Sequence, residues 1–431
     1  MLRSASGVVG LAVAVALRVA VSWGSEWGET LVARSELATA MDRIELLREA
    51  SFLLNTLQVD PKAVWASLSV HHSPLLLVLD RLISDPVRSA CTWIAMDVTT
   101  GLVLAAVASR LAQNAGGRVK YLSPAAVAAC YWMNPYAIAC CAAKSMATLR
   151  VLLVALSVLF AVLGASLRLA LVHTLSTLLF LNPLMLTPAL VLLGADSYAE
   201  HGRWRATFGM RRADAWSEWM RRTLLRMAVF AATGLVGSAI LSRDGSWTFV
   251  RSVYGSRLLF DDLAPSAGLA WYFFVQMFEH FHSFFVLVVN LHMWAYMVPV
   301  TIKYRSDPLF AVTILYGIQC LFQNYTSVGD TALFMALWSL SSTRLSDYLR
   351  YPMVTSLLFA YTTLLMPAFH YLWLYAGSAN ANFYYAINLV HAVGIGSLIL
   401  DAGWAWGHER WEKERTPVAG KEGQRRTVVQ R

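Results

Sequence analysis

Asn380 and Asn382 stand two apart in a run of small residues, Ala376, Gly377, Ser378, Ala379 and Ala381. An asparagine amide carries two donors and an acceptor, so the pair could hold hydroxyls and phosphate oxygens without taking part in a reaction. The small neighbours would let a sugar or a lipid head come close to the backbone. Asparagine is equally favoured at helix ends, so a helix-capping turn is the competing reading. The histidines His71-His72, His280, His282 and His292 are the next group with reactive side chains. His280 and His282 lie about 200° apart on a helix of 3.6 residues per turn, a poor fork for a metal. They read as hydrogen-bonded interfacial residues. Asp261 and Asp262 are adjacent, so their carboxylates would diverge on an extended segment. The non-cytoplasmic face carries no D-x-D or E-x-D pair, and the chain has no Gly-rich phosphate loop or G-x-S-x-G elbow. The expectation is therefore a chain with no catalytic residues, no metal site and no cofactor. Glu279 and Asp330 read as caps or ion-pair residues. Asp97 and Lys144, in or beside apolar runs, each need a partner in the bundle interior, and could pair with one another.

The elements that must carry these residues are membrane helices. Hydrophobic residues make up 57% of the 431 and charged ones 14%, and the mean hydropathy is +0.52. A soluble chain could not hide that much apolar surface behind so few charges. The fold class is all-α and polytopic, with about 12 transmembrane helices. Residues 7–23 read as a retained first span interrupted by Arg18. Further spans are expected near 88–109, 122–142, 150–165, 168–181, 183–196, 224–241, 283–301, 308–323, 330–341, 353–374 and 383–402, with a break at Asn182-Pro183. Within a membrane domain over 1–405, residues 24–87 form a loop with interfacial helices and 197–226 a basic loop. Residues 406–431 form a charged tail. The aromatic stretch 269–281 belongs at an interface.

The net charge of +9 is gathered into short loops. That is the signature of topogenic Lys and Arg at the cytoplasmic leaflet and not of a nucleic-acid binder. It places 110–120, 203–226, 303–307, 342–350 and the tail in the cytosol. Asn380, Asn382 and the turn before Asp330 then face the other side. The stretch from Lys144 to Arg150 dissents. Cys91, Cys130, Cys140, Cys141 and Cys320 lie in apolar runs with no CxxC, as small core residues do.

The runs SWTFVRSVYG, DLAPSAGLAWYFFVQMFEHF, SVGD and LWLYAGSANANFYYAI, with HHSPL and NPYAIACCAAKS upstream, resemble the PIG-U family from about residue 60 to 402. This is the multi-spanning subunit of the glycosylphosphatidylinositol (GPI) transamidase. The resemblance implies a bundle similar to GT-C glycosyltransferases in the endoplasmic reticulum membrane. It implies a non-catalytic role beside a caspase-like catalytic subunit and further membrane subunits, and binding of the GPI lipid through Asn380 and Asn382. Arg211 and Arg212 would contact an anionic phospholipid head on the cytoplasmic side. Ala381 replaces a familiar Ser, and Thr326 a familiar Pro. The rival is an active GT-C mannosyltransferase, which would need a carboxylate pair in 24–87 that the sequence lacks.

Overall fold

A computed structural model of the chain describes residues 5–23, 27–67, 70–79, 85–116, 119–200, 212–243, 245, 247–341 and 343–415. Among these there are helices and turns but no strand. The principal helices are α1 (Ala5–Trp23), α2 (Ile44–Asn55), α3 (Pro86–Ala115), α4 (Pro124–Trp132) and α5 (Pro135–Ala142). They continue with α6 (Ala147–Val162), α7 (Ser166–Phe180), α8 (Thr187–Glu200), α9 (Arg212–Ser242) and α10 (Ala270–Val275). The last are α11 (Glu279–Ala295), α12 (Pro308–Phe322), α13 (Val328–Ser339), α14 (Pro352–Leu374) and α15 (Ala381–Arg415).

One dipeptide pattern starts several of them. Asp85-Pro86, Ser123-Pro124, Asn134-Pro135 and Asp307-Pro308 each put a side-chain acceptor at the cap and proline at the first helical position. The cap oxygen takes a backbone N–H that has no partner within the helix, and proline has no N–H to strand there. Asn134-Pro135 thus opens α5 and bends it 56° from α4. At Asn182-Pro183 the chain breaks as expected, into a short 3-10 turn over Asn182–Leu186.

Among the described residues five helices are long and apolar enough to cross a membrane: α3, α9, α14, α15 and Glu279–Lys303, which extends α11. The α4–α5 pair brings the number to six if it counts as one span. Other expected spans form shorter helices. The 15 residues of α7 and of α12 reach about 22 Å, short of a hydrocarbon core of about 30 Å. Most of α12 is buried, as befits a helix apolar all round in the centre of a bundle. Of the basic stretch 197–226, α8 runs to Glu200 and α9 begins at Arg212, with the residues between outside those described. The region 24–87 carries α2, two shorter helices and the 3-10 turn Pro74–Leu79.

Two sets of buried charges join distant helices. Arg18 meets Asp97, which also accepts from the Tyr131 hydroxyl at 2.6 Å. Lys144 reaches the Pro86 carbonyl instead, so the partner of Asp97 is the arginine that interrupts α1. Arg150 lies between Asp42 and Asp330, donating Nη1 to Asp42 at 2.7 Å and Nη2 to Asp330 at 2.8 Å. Asp330 also accepts from the Tyr316 hydroxyl (3.0 Å) and the Gln323 amide (2.7 Å). Arg150 is therefore compensated inside the bundle.

Candidate functional site

The hairpin between α14 and α15 places the asparagines. Gly377 takes a left-handed φ of 64°, which an L side chain resists. That turn sends the N–H groups of Ser378 and Ala379 back to the Leu372 carbonyl at 3.0 and 3.1 Å. Asn380 then opens α15, its Oδ1 accepting the Asn382 N–H at 3.0 Å. The capping role and exposure coexist, because both side chains are open to the outside. Asn382 Oδ1 accepts the Tyr272 hydroxyl of α10. Each acceptor oxygen thus has a partner inside the protein, and each exposed side chain also carries an NH2 donor.

Tyr272 joins this polar pair to an apolar groove. Its ring stacks on Tyr385, one turn along α15, at 4.4 Å between centroids and 22° between planes. Behind them Trp271 packs against Trp373 and Tyr384. The break at Gln276–Phe278 separates α10 from α11 and opens a groove of about 320 Å³ lined by Tyr272, Phe273, Met277, Phe278, Phe281 and Tyr385. Phe278 is 80% exposed and Phe281 51%. Amide donors at the mouth of an aromatic groove suit a ligand with an oxygen-rich head and an apolar tail.

Under the hairpin a buried polar seam fixes its position. Arg34 donates to the Pro367 carbonyl at 3.0 Å and to Glu36 Oε1 at 3.0 Å, and His370 lies 3.7 Å from Glu36 Oε2. Burial pushes the Glu36 carboxyl above its ordinary range, against the pull of Arg34. The Glu36 carbonyl accepts the Val328 N–H at 3.1 Å, and Ser327 Oγ donates to the Leu37 carbonyl at 2.9 Å while capping α13. The asparagine turn and the turn before Asp330 thus share one end of the molecule. At Asp42 burial opposes the charge, but Arg150, with further help from Arg257, holds the carboxyl below the usual range.

The other expected residues separate from this site. His72 Nε2 lies 2.7 Å from the Arg43 carbonyl and His71 Nδ1 3.3 Å from that of Ser252. Burial drives the pKa of His72 down to about 4 and lowers that of His71; both are hydrogen-bonded residues of the loop core. His282 packs on Phe274, and His292 on Tyr296 and Phe322. Cys140, Cys141 and Cys320 are buried, whereas Cys91 and Cys130 are exposed. Arg211 lies outside the described residues, and so does the side chain of Arg212 at the start of α9. Tyr272 and Tyr385 were not singled out by sequence reasoning. Aromatic density marked their neighbourhood, but nothing local signals a bond spanning 110 residues.

Comparison with known proteins gives these features a setting. The family model described as GPI transamidase subunit PIG-U matches residues 12–391. The Homo sapiens GPI-anchor transamidase component PIGU is 35% identical over 284 residues, covering 66% of this chain and 63% of the human protein. The Saccharomyces cerevisiae GPI transamidase component GAB1 is 41% identical over 160 residues, 37% of this chain and 40% of the yeast protein. The chain thus aligns with less than two thirds of the length of these relatives. On the match over residues 12–391, the chain belongs to the PIG-U family.

Proposed function

We propose that this chain is the non-catalytic subunit of a GPI transamidase that binds the GPI lipid and presents it for attachment to the C-terminus of proproteins. The observation that carries the reading is the junction at Tyr272. There the Asn380 and Asn382 amides meet an aromatic groove. The amides would take the phosphate and sugar oxygens of the lipid, and the groove its hydrocarbon.

The relatives are named as transamidase components, which supports placing this chain in the same complex. Its partners would be a caspase-like cysteine catalytic subunit and the remaining membrane subunits. In the proposed arrangement the chain crosses the endoplasmic reticulum membrane about 12 times in a GT-C-like bundle. The short apolar helices would span it in company with their neighbours. The asparagine turn is lumenal and the tail cytosolic, following the basic loops. Arg211 and Arg212 remain proposed contacts for an anionic phospholipid.

Affinity purification of the full chain in mild detergent tests the assignment. The reading expects a cysteine-protease-like subunit and GPI lipid to copurify. A chain that purifies alone and transfers mannose from a dolichol donor would overturn it in favour of the glycosyltransferase.

A further inference from the structure

At the opposite end of the α14–α15 hairpin lies a second groove, of about 610 Å³, unrelated to the asparagine site. Its floor is one face of α15, formed by Val393, Gly396, Ser397, Leu400 and Trp404 at spacings of three, four and seven residues. From Val393 to Trp404 that face runs about 17 Å along the helix axis. The hydrocarbon of one leaflet is about 15 Å deep. Val393 and Leu400 are 60% and 77% exposed, and a Cβ at Gly396 would meet nothing within 4 Å. The groove is open along its whole length.

Two of its polar side chains are engaged within the protein. Both Asp401 oxygens accept backbone N–H groups, from Arg350 at 2.8 Å and Tyr351 at 2.9 Å, which fastens the start of α14 to α15. Ser397 Oγ is bonded to Thr355 Oγ1 at 3.0 Å. The Arg350 guanidinium is the cation of the groove. It lies 4.1 Å above the Trp404 ring and has no carboxylate partner among the described residues. Arginine and tryptophan at the end of a leaflet-deep apolar channel mark a headgroup boundary.

We propose that this groove binds a glycerophospholipid with an anionic head. One acyl chain lies along Val393–Leu400, and the phosphate meets Arg350 on its Trp404 platform. The lining is mostly apolar, and its one cationic side chain is Arg350. Since the 23 residues of α14 span about 35 Å, this lipid sits in the leaflet opposite the asparagine site, and either site can fail without the other.

The test is photolabelling of the full chain in phosphatidylcholine bilayers containing a minority of phosphatidylserine. The photoreactive group is on the acyl chain of one or the other lipid. Labelled peptides should map to 393–404, with phosphatidylserine favoured. Arg350→Gln, an exposed change, should lower phosphatidylserine labelling about tenfold, to the phosphatidylcholine level. Gly396→Leu, at a position where a Cβ meets nothing within 4 Å, should obstruct the channel and abolish labelling by both. Unlabelled 393–404 peptides, or equal labelling by the two lipids unaffected by Arg350→Gln, would overturn the proposal.

Discussion

Asn380 has two jobs in this account, and a single isosteric change separates them. Its Oδ1 caps α15 at 3.0 Å, and its NH2 belongs to an exposed side chain. Asn380→Asp keeps an oxygen for the cap, because Asp and Asn cap about equally well, and a helix N-terminus favours the added charge. It removes the donor and sets a carboxylate against the lipid phosphate. Asn382→Asp likewise keeps the acceptor that Tyr272 uses and loses the donor. A hydrogen bond to a charged oxygen contributes about 1.5–3 kcal/mol, so each variant should weaken GPI binding roughly 10- to 100-fold. Asn380→Ala would lose the cap as well, at about 1 kcal/mol of stability. The assay is surface display of a GPI-anchored reporter in cells dependent on the variant, with its steady-state level measured in parallel. Normal levels with reduced display are expected of both aspartate variants. Full display at normal levels would refute the donor role and leave the asparagines as caps alone.

Three further outcomes follow from the same geometry. Tyr272→Phe should keep the stack on Tyr385 and lower display only a few-fold, since it removes one hydrogen bond of about 1 kcal/mol; Tyr272→Ala should lower it further by opening the groove wall. Arg150→Met should strand Asp42 and Asp330 in the interior and cost about 3–5 kcal/mol, read as lost folded protein in fluorescence-detected size exclusion. For pH, burial holds His72 at about 4 against 6.5 when unfolded. Its contribution is therefore complete above pH 6.5 and lost as pH falls toward 4, by about 3 kcal/mol at most; His72→Gln should flatten that part of the thermal stability profile measured in detergent.

Local chemistry made part of this molecule legible in its sequence. The Asn182-Pro183 break, the buried Cys140, Cys141 and Cys320, and an asparagine pair at a helix start all follow from rules acting over a few residues. What stayed hidden was pairing across the chain. Arg18 reads as a flaw in an apolar run because Asp97 is 79 residues away. Arg150 reads as a stray loop charge because Asp42 and Asp330 are 108 and 180 residues away. The groove was half visible. Aromatic density marked 269–281 as interfacial, but the contact of Tyr272 with Asn382 and Tyr385 depends on how the α14–α15 hairpin returns to α10.

The most direct measurement of lipid presentation replaces Phe278, which is 80% exposed and lines the groove beside Tyr272, with a photoreactive phenylalanine analogue. The assembled complex is then irradiated in its own membranes, and adducts on this chain are identified by mass spectrometry. A GPI-lipid adduct at position 278, lost when Asn380→Asp and Asn382→Asp are combined, is the predicted result. An assembled, active complex that yields no GPI adduct there, or one indifferent to both asparagines, would contradict the account.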